Sequence, residues 1–233
     1  MSDKIVLNHE EKDLELLDIK DLDISLKEDS FLRLRILNIN SKENINITAE
    51  VGSNSKIEVI YADFTNHNSN LNVKMDLVGE GAYIDWKLAT LSNNENKKTF
   101  DISFNHLKPN TISYMDNYGV SKDKSNIVFT GCNHIFEHCY KSETKQNAKI
   151  IVFDEEAGGV ASPTLRIDEN DVKASHGAVV GQLNNDHMFY LMSRGLSQVE
   201  AKQLITLGYL KPISVHFNEQ NQEKIIDAIR WLA

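Results

Sequence analysis

The stretch LRLRILNINSKENINITAEVGSNSKIEVIY, residues 32–61, reads as three short strands divided by turns. Side chains alternate across a strand, so LRLRILNIN (32–40), INITAEV (45–51) and KIEVIY (56–61) each place their apolar members on one face; Ile45, Ile47, Ala49 and Val51 form one such set. Gly52-Ser53-Asn54 separates two of the runs with turn-forming residues. Working outward, LNVKMDLV (71–78), YIDWKLATL (83–91) and FDISFNHL (100–107) repeat the pattern, which continues to about Gly181 in a chain with only 3 prolines. A sandwich, a barrel and a parallel β-helix all share this strand spacing of about 10–14 residues. The Asn-rich stretches at 38–46 and 66–72 lean toward the β-helix, whose stacked coils align such side chains in ladders, although no strict short repeat is visible.

The C-terminal part changes period. Asp186 to Arg194, DHMFYLMSR, carries apolar residues at helical spacing and stops at Gly195, a natural residue just past a helix end. Ser197-Gln198-Val199-Glu200 is a capping box that opens a second helix, expected to stop at Gly208. A third amphipathic helix is expected from about Glu219 to Leu232, with Ile225, Ile226, Ile229 and Leu232 as its stripe and Trp231 beside them. The division is therefore a β body over residues 1–183 and a helical region over 184–233, which covers an open end of the β body or binds a partner.

Composition narrows the function. A net charge of −9 disfavours nucleic acid, because an acidic surface repels phosphate backbones. No apolar run approaches the roughly 20 residues that span a bilayer. The acidic start, MSDKIVLNHEEKDLEL, has no basic and apolar signal pattern, and with only 2 cysteines a reducing cytoplasm is expected. The first thirty residues hold ten Asp/Glu against four Lys, yet Leu14, Leu16, Ile19, Leu22 and Ile24 interrupt them. This reads as one or two strands with a solvated acidic face, in preference to a docking tail for a basic partner.

No phosphate loop, dinucleotide fingerprint or G-x-S-x-G elbow occurs, so any ATP-driven step belongs to another subunit. The acidic groups Asp154-Glu155-Glu156 and Asp168-Glu169-x-Asp171 would suit a carbohydrate- or acyl-group β-helix enzyme only if two carboxylates faced each other, and their setting is that of exposed turns. Cys132, His134, His138 and Cys139 concentrate soft donors in eight residues, which suggests a metal-binding module. On a regular strand Cys139 would lie opposite the other three, so a closed site needs a turn within the segment. Periodicity alone makes His176 a surface histidine.

Taken whole, residues 163–181, PTLRIDENDVKASHGAVVG, followed by QLNNDHMFYLMSRGLSQVEAKQLI, resemble the C-terminal region of the SufB/SufD family of iron–sulfur cluster assembly proteins, and Ser175-His176-Gly177-Ala178 resembles its SufD branch. LVGEGAYIDWKLATL (77–91), NHLKPNTIS (105–113) and GVSKDKSNIVFTG (119–131) also fit, so the likeness runs from about residue 70 to 210. The resemblance implies a right-handed parallel β-helix with a small C-terminal α-helical region, acting as a non-catalytic scaffold. It implies pairing with a SufB-like subunit, or with a second copy of the chain, and docking of a SufC-like ATPase on the C-terminal helices. His176 matches the family histidine at the partner interface, where a transient, shared iron–sulfur cluster forms; a neutral imidazole nitrogen is a competent iron ligand. Phe189, Tyr190, Leu191, Arg194, Gly195, Leu204 and Gly208 match the ATPase-docking region, though the same stripe suits packing against the β body. Two departures stand out: Ala174 replaces a cysteine that many SufD-like sequences carry, and the chain reads as a short form without the family's N-terminal helical region.

Overall fold

A computed structural model describes residues 3–41 and 44–232. Its strands are β1 Asp3–Leu7, β2 Glu11–Leu17, β3 Leu22–Leu26, β4 Phe31–Asn38, β5 Asn44–Val51, β6 Lys56–Asp63, β7 Ser69–Leu77, β8 Tyr83–Ser92, β9 Lys97–His106, β10 Ile112–Ser121, β11 Asn126–Ile135, β12 Glu143–Val152, β13 Gly158–Ile167 and β14 Lys173–Gln182. Odd strands form one seven-stranded sheet in the order β1-β3-β5-β7-β9-β11-β13, and even strands form the other, β2 to β14. Every pairing is parallel and joins a strand to the one two places on, so each coil of chain lays one rung on each sheet. That is a parallel β-helix.

Coil length explains why no short repeat shows in the sequence. Partners lie 19 residues apart at Asp3↔Leu22, 25 at Leu22↔Ile47, 29 at Ser69↔Lys98 and 32 at Asn126↔Gly158. The strands lengthen with the coils, from 5 residues in β1 to 10 in β14. What does repeat is the corner between each odd strand and the next even one. His9, Asp29, Asn54, Gly81, Asn110 and Lys141 all have positive φ there, and the β11–β12 corner adds a second, His138. Asn, Asp and Gly tolerate that conformation, and the amides link successive corners: Asn54 Nδ2 donates to Asp29 Oδ1 at 3.2 Å, and Asn110 Nδ2 to Glu80 Oε1 at 2.8 Å. At the same corner Gly52 and Gly79 stack backbone on backbone; a Cβ on Gly52 would stand 1.5 Å from the Lys27 carbonyl oxygen. The expected asparagine ladders are present, with Asn70 donating to Asn44 and Asn72 to Asn46, each at 3.2 Å.

Inside, alternate residues stack in rows. Leu22, Ile47, Val73 and Ile102 form one row, and Leu34, Val59, Trp86 and Met115 another. One fully buried ion pair interrupts this core, Lys98 Nζ on Asp63 Oδ1 at 2.8 Å. The acidic N-terminal segment forms β1 to β3, with Leu22, Ile24 and Leu26 in the core.

The helices are α1 Asn185–Ser193, α2 Gln198–Leu210 and α3 Glu219–Leu232, with a 3₁₀ turn over Lys211–His216. Gly195, at φ +96°, closes α1: its N–H bonds Met192 O and that of Leu196 bonds Leu191 O. The Ser197–Glu200 capping box forms as read. Gly208 does not end α2. It lacks positive φ, and the helix runs on until Pro212, which has no N–H to donate and tightens the chain into the 3₁₀ turn. The helical region also does not cover an open end. Leu210, Ile213, Phe217, Ile225 and Ile229 pack on the outer flank of the even sheet against Leu37, Ile60, Ala62, Ala89 and Val120. Ile226 is half-buried, and the side chains of Trp231 and Leu232 lie outside the described residues. Polar ties hold the flank at both ends: Lys202 Nζ meets Asp154 Oδ1 at 2.6 Å, Arg35 Nη1 donates to His216 O at 3.0 Å, and the N–H of Asn218 donates to Glu15 Oε2 at 3.0 Å.

Candidate functional site

The β13–β14 end of the solenoid is bare. Among the described residues no further coil covers it, so the inward row that buries core residues elsewhere lies open here, and β14 is exposed along nearly its whole length. His176 occupies that row. Register continues it from Leu34 through Val59, Trp86, Met115 and Gln146 to His176. It is thus not a histidine on the flank of a strand but the last member of a core row, presented on the end face of the lumen. Ile167 and Val180 are exposed on the inward faces of the end strands, while Val160 and Val179 (58 % exposed) add apolar surface on their outer faces.

Beneath the end face the interior turns from apolar to polar. Ser113 and Thr144 follow Ile57 and Ile84 in one row, and Asn133 follows Met75 and Phe104 in another. Their bonds run in one direction. Burial pushes the pKa of His106 down to about 4, so its ring is neutral. Thr111 spends its hydroxyl proton on Lys108 O at 3.0 Å and therefore accepts from His106 Nδ1 at 2.7 Å. His106 Nε2 then accepts from Ser113 at 2.8 Å, Ser113 from Thr144 at 2.8 Å, and Thr144 from Asn133 Nδ2 at 2.5 Å. Two buried acceptors are left without partners, Asn133 Oδ1 and Gln146 Oε1.

The four residues read as a metal module are not brought together. Cys132 lies on the outer face of β11, His134 Nε2 is held by Asp168 Oδ2 at 2.6 Å with its ring against Phe136, and His138 sits at φ +68° with its side chain 87 % exposed. Cys139 is buried, its thiol directed at His106 O at 3.1 Å, and burial raises its pKa. The turn a closed site needs is present, but it sends the donors in four directions. Among the described residues no group of three His, Cys, Asp or Glu side chains is placed to hold a metal ion. The acidic groups are likewise turn residues: Asp154 binds Lys202 and Glu169 accepts the N–H groups of Asn170 and Asp171.

The helical candidates divide. Phe189 (75 % exposed), Tyr190 and Leu204 face outward together with Met192 and Val199, and Arg194 lies over the Tyr190 ring at 5.2 Å. Leu191 is half-buried, while Gly195 and Gly208 serve the backbone as described. A groove of about 580 Å³ runs between α1, α2 and the bare end, lined by Phe153, Leu183, Met188, Phe189, Met192 and Lys202.

Residues 4–209 match the family described as SUF system FeS cluster assembly, SufBD core domain. The chain belongs to the SufBD core family. Among relatives, the iron-sulfur cluster assembly protein SufD of Bacillus subtilis is 32% identical over 162 residues, which is 70% of this chain and 37% of that protein. SufD of Escherichia coli K12 is 33% identical over 90 residues, 39% of this chain and 21% of the relative. An iron-sulfur cluster assembly SufBD family protein of Staphylococcus saprophyticus is 28% identical over 109 residues, 47% of this chain and 23% of the relative. The aligned part thus spans well under half the length of each of these curated relatives, and the two SufD proteins place this SufBD core chain on the SufD-like side. Among the described residues no helix is long and apolar enough to cross a membrane.

The polar lumen of this SufBD core was missed in the sequence. Thr144-Lys145-Gln146 is polar at all three positions, so nothing in its pattern marks Thr144 and Gln146 as inward. Only the register shows that the lysine faces out and its neighbours face in.

Proposed function

We propose that this chain is a SufD-like, non-catalytic subunit of a cytoplasmic SufB–SufC–SufD-type complex that assembles and hands on iron–sulfur clusters. The observation that carries this is His176 on the bare end of the lumen, with Ile167 and Val180 also exposed on the inward faces of the two end strands. An uncapped β-helix end with apolar surface and unpaired strand edges is a place for another chain to add its own strands. A SufB-like chain is the partner the family favours, and a second copy of this chain is the variant. Covering that end would put His176 in a desolvated seam, where its neutral imidazole can ligate iron of the nascent cluster, which is cargo here and not a resident cofactor. The SufC-like ATPase would dock on the outward apolar residues of α1 and α2, Phe189, Tyr190 and Leu204, with the adjoining groove.

Anaerobic co-expression of the tagged chain with SufB-like and SufC-like proteins tests the reading. The expected result is a ternary complex that still forms with His176→Ala but loses its iron and sulfide. Wild-type chain that captures neither partner, or a His176→Ala complex with full iron and sulfide, would overturn it.

A further inference from the structure

We infer that the cleft between α2 and the outer face of β8 and β10 is a binding site for an uncharged, flat aromatic molecule. The cleft holds about 440 Å³, the size of a small-molecule site, and shares no lining residue with the groove beside α1. Strand register builds its floor. Ala89 and Tyr118 are partners on one outward row of β8 and β10, and Lys87 and Asp116 are partners on the row beside it. The helical region packs down on Leu37, Ala62 and Ala89 of the first row but leaves Tyr118, the next member, 40 % exposed. Tyr209 and Pro212 supply the helical wall, and Lys87 and His216 mark the end where the cleft meets a second, more polar one running toward Arg33.

Gly208 keeps this cleft accessible. It lies within α2, with the helical chain running on past it, and lacks positive φ, so no backbone conformation calls for glycine there. Glycine costs a helix more than any residue but proline. Close packing does not call for it either, since a Cβ at this position would meet nothing within 4 Å. What the missing side chain leaves is open space along the cleft that Gly208 lines. The walls then select the ligand. Two tyrosine rings and a proline ring offer flat apolar surface, and aromatic rings pair favourably on such walls in offset-stacked or edge-to-face arrangements. The charges at the margin are already engaged: Lys87 Nζ holds Asp85 Oδ2 at 2.7 Å, Asp116 Oδ1 accepts from Asn147 Nδ2 at 2.7 Å, and Lys149 Nζ lies over the Tyr209 ring at 4.6 Å. Burial, aided by the Lys87 ammonium, lowers the His216 pKa, so that ring is neutral at about pH 7. An ionic ligand would have to break one of these contacts to find a counter-charge, whereas an uncharged ring needs none.

Carbon-13 NMR of the tyrosine-labelled full chain tests this, with indole as the probe and cyclohexanol as the uncharged, non-aromatic control. Tyr118→Phe and Tyr209→Phe assign the two signals. Indole is expected to shift both saturably through its ring current, and cyclohexanol to bind roughly tenfold more weakly, the equivalent of one lost aromatic pair. Gly208→Leu, which places a side chain in the open space, should abolish the indole shifts without lowering the melting temperature, because leucine is the better helix former. If Gly208→Leu does not fold by circular dichroism, Tyr118→Ser takes its place, with the loss of binding read at Tyr209. Absence of a saturable shift at Tyr118 and Tyr209, equal affinity for cyclohexanol, or undiminished indole binding by the folded variant would overturn the inference. The measurement involves neither His176 nor a partner chain, so its outcome is independent of the proposed function.

Discussion

Lys98→Met should cost this protein a large part of its stability. Lys98 and Asp63 are both 0 % exposed, and the pair is supported by Ser69 Oγ on Asp63 Oδ2 at 2.6 Å and Thr65 Oγ1 on Oδ1 at 2.7 Å. Burial alone would raise the Asp63 carboxyl; the Lys98 ammonium and the two hydroxyls overcome it and hold the pKa below the usual carboxylate value. Methionine fills most of the lysine volume, so the mutant keeps its packing and leaves one uncompensated buried carboxylate. Removing one partner of such a pair costs about 3–5 kcal/mol. In a chain of 233 residues each kcal/mol moves Tm by roughly 2–4 °C, so a loss on the order of 6–20 °C is expected. Urea denaturation is the assay: Cm should fall with the slope unchanged, since the surface exposed on unfolding is the same. The Asp63→Leu, Lys98→Met double variant should recover much of the loss, because a buried ion pair and its apolar replacement are often close in energy. A single-variant loss below about 1 kcal/mol would refute the reasoning, since the carboxylate would then have found water or a proton at little cost.

The remaining expectations are narrower. The His106 pKa is depressed from 6.5 to about 4, so the unfolded chain takes up a proton that the folded one refuses; stability should fall as pH drops through that window, by up to about 3 kcal/mol near its lower end. His106→Gln should remove that portion of the pH dependence, read as the difference between the two urea-derived profiles, and identical slopes would contradict the buried neutral ring. Ser197→Ala should destabilise by about 1 kcal/mol through loss of the α2 cap, measured by thermal melting, with Ser197→Asp close to wild type. A thiol reagent should modify Cys132 first and Cys139 only on unfolding, because Cys139 is buried and its thiol pKa is raised; equal rates by mass spectrometry would show the 132–139 turn to be open.

How much of this was legible beforehand follows from the range of each interaction. Strands and caps are local, and the Ser197–Glu200 box or the Ile45–Val51 alternation can be read without knowing what lies across from them. Gly208 misled because glycine permits a helix end without requiring one, and the stop came from Pro212 four residues on. The stacking was hidden because the coil length drifts from 19 to 32 residues, which removes the fixed period that betrays most repeat folds. The family motif pointed to His176, but not to its place at the end of a core row. That depends on five successive strand registers, and Gln146, Asn133 and the unpaired oxygens became visible only with it.

The helical flank also bears on how the molecule comes apart. A solenoid whose rungs touch only their neighbours is nearly one-dimensional: end coils can peel away while the middle survives, and unfolding loses its all-or-none character. Here α3 is bound at Asn218 to Glu15 on β2, while α2 is bound at Lys202 to Asp154 beyond β12. One continuous piece of chain is therefore fastened near both extremities of the stack, and fraying at either one must also loosen the strap. The contacts are among the most distant in sequence, with 203 residues between Glu15 and Asn218, so they close late and reward only a stack already built. The strap turns a row of separable rungs into a body that melts as one, and the bare end held by that body stays flat and ordered for whatever strand is laid against it.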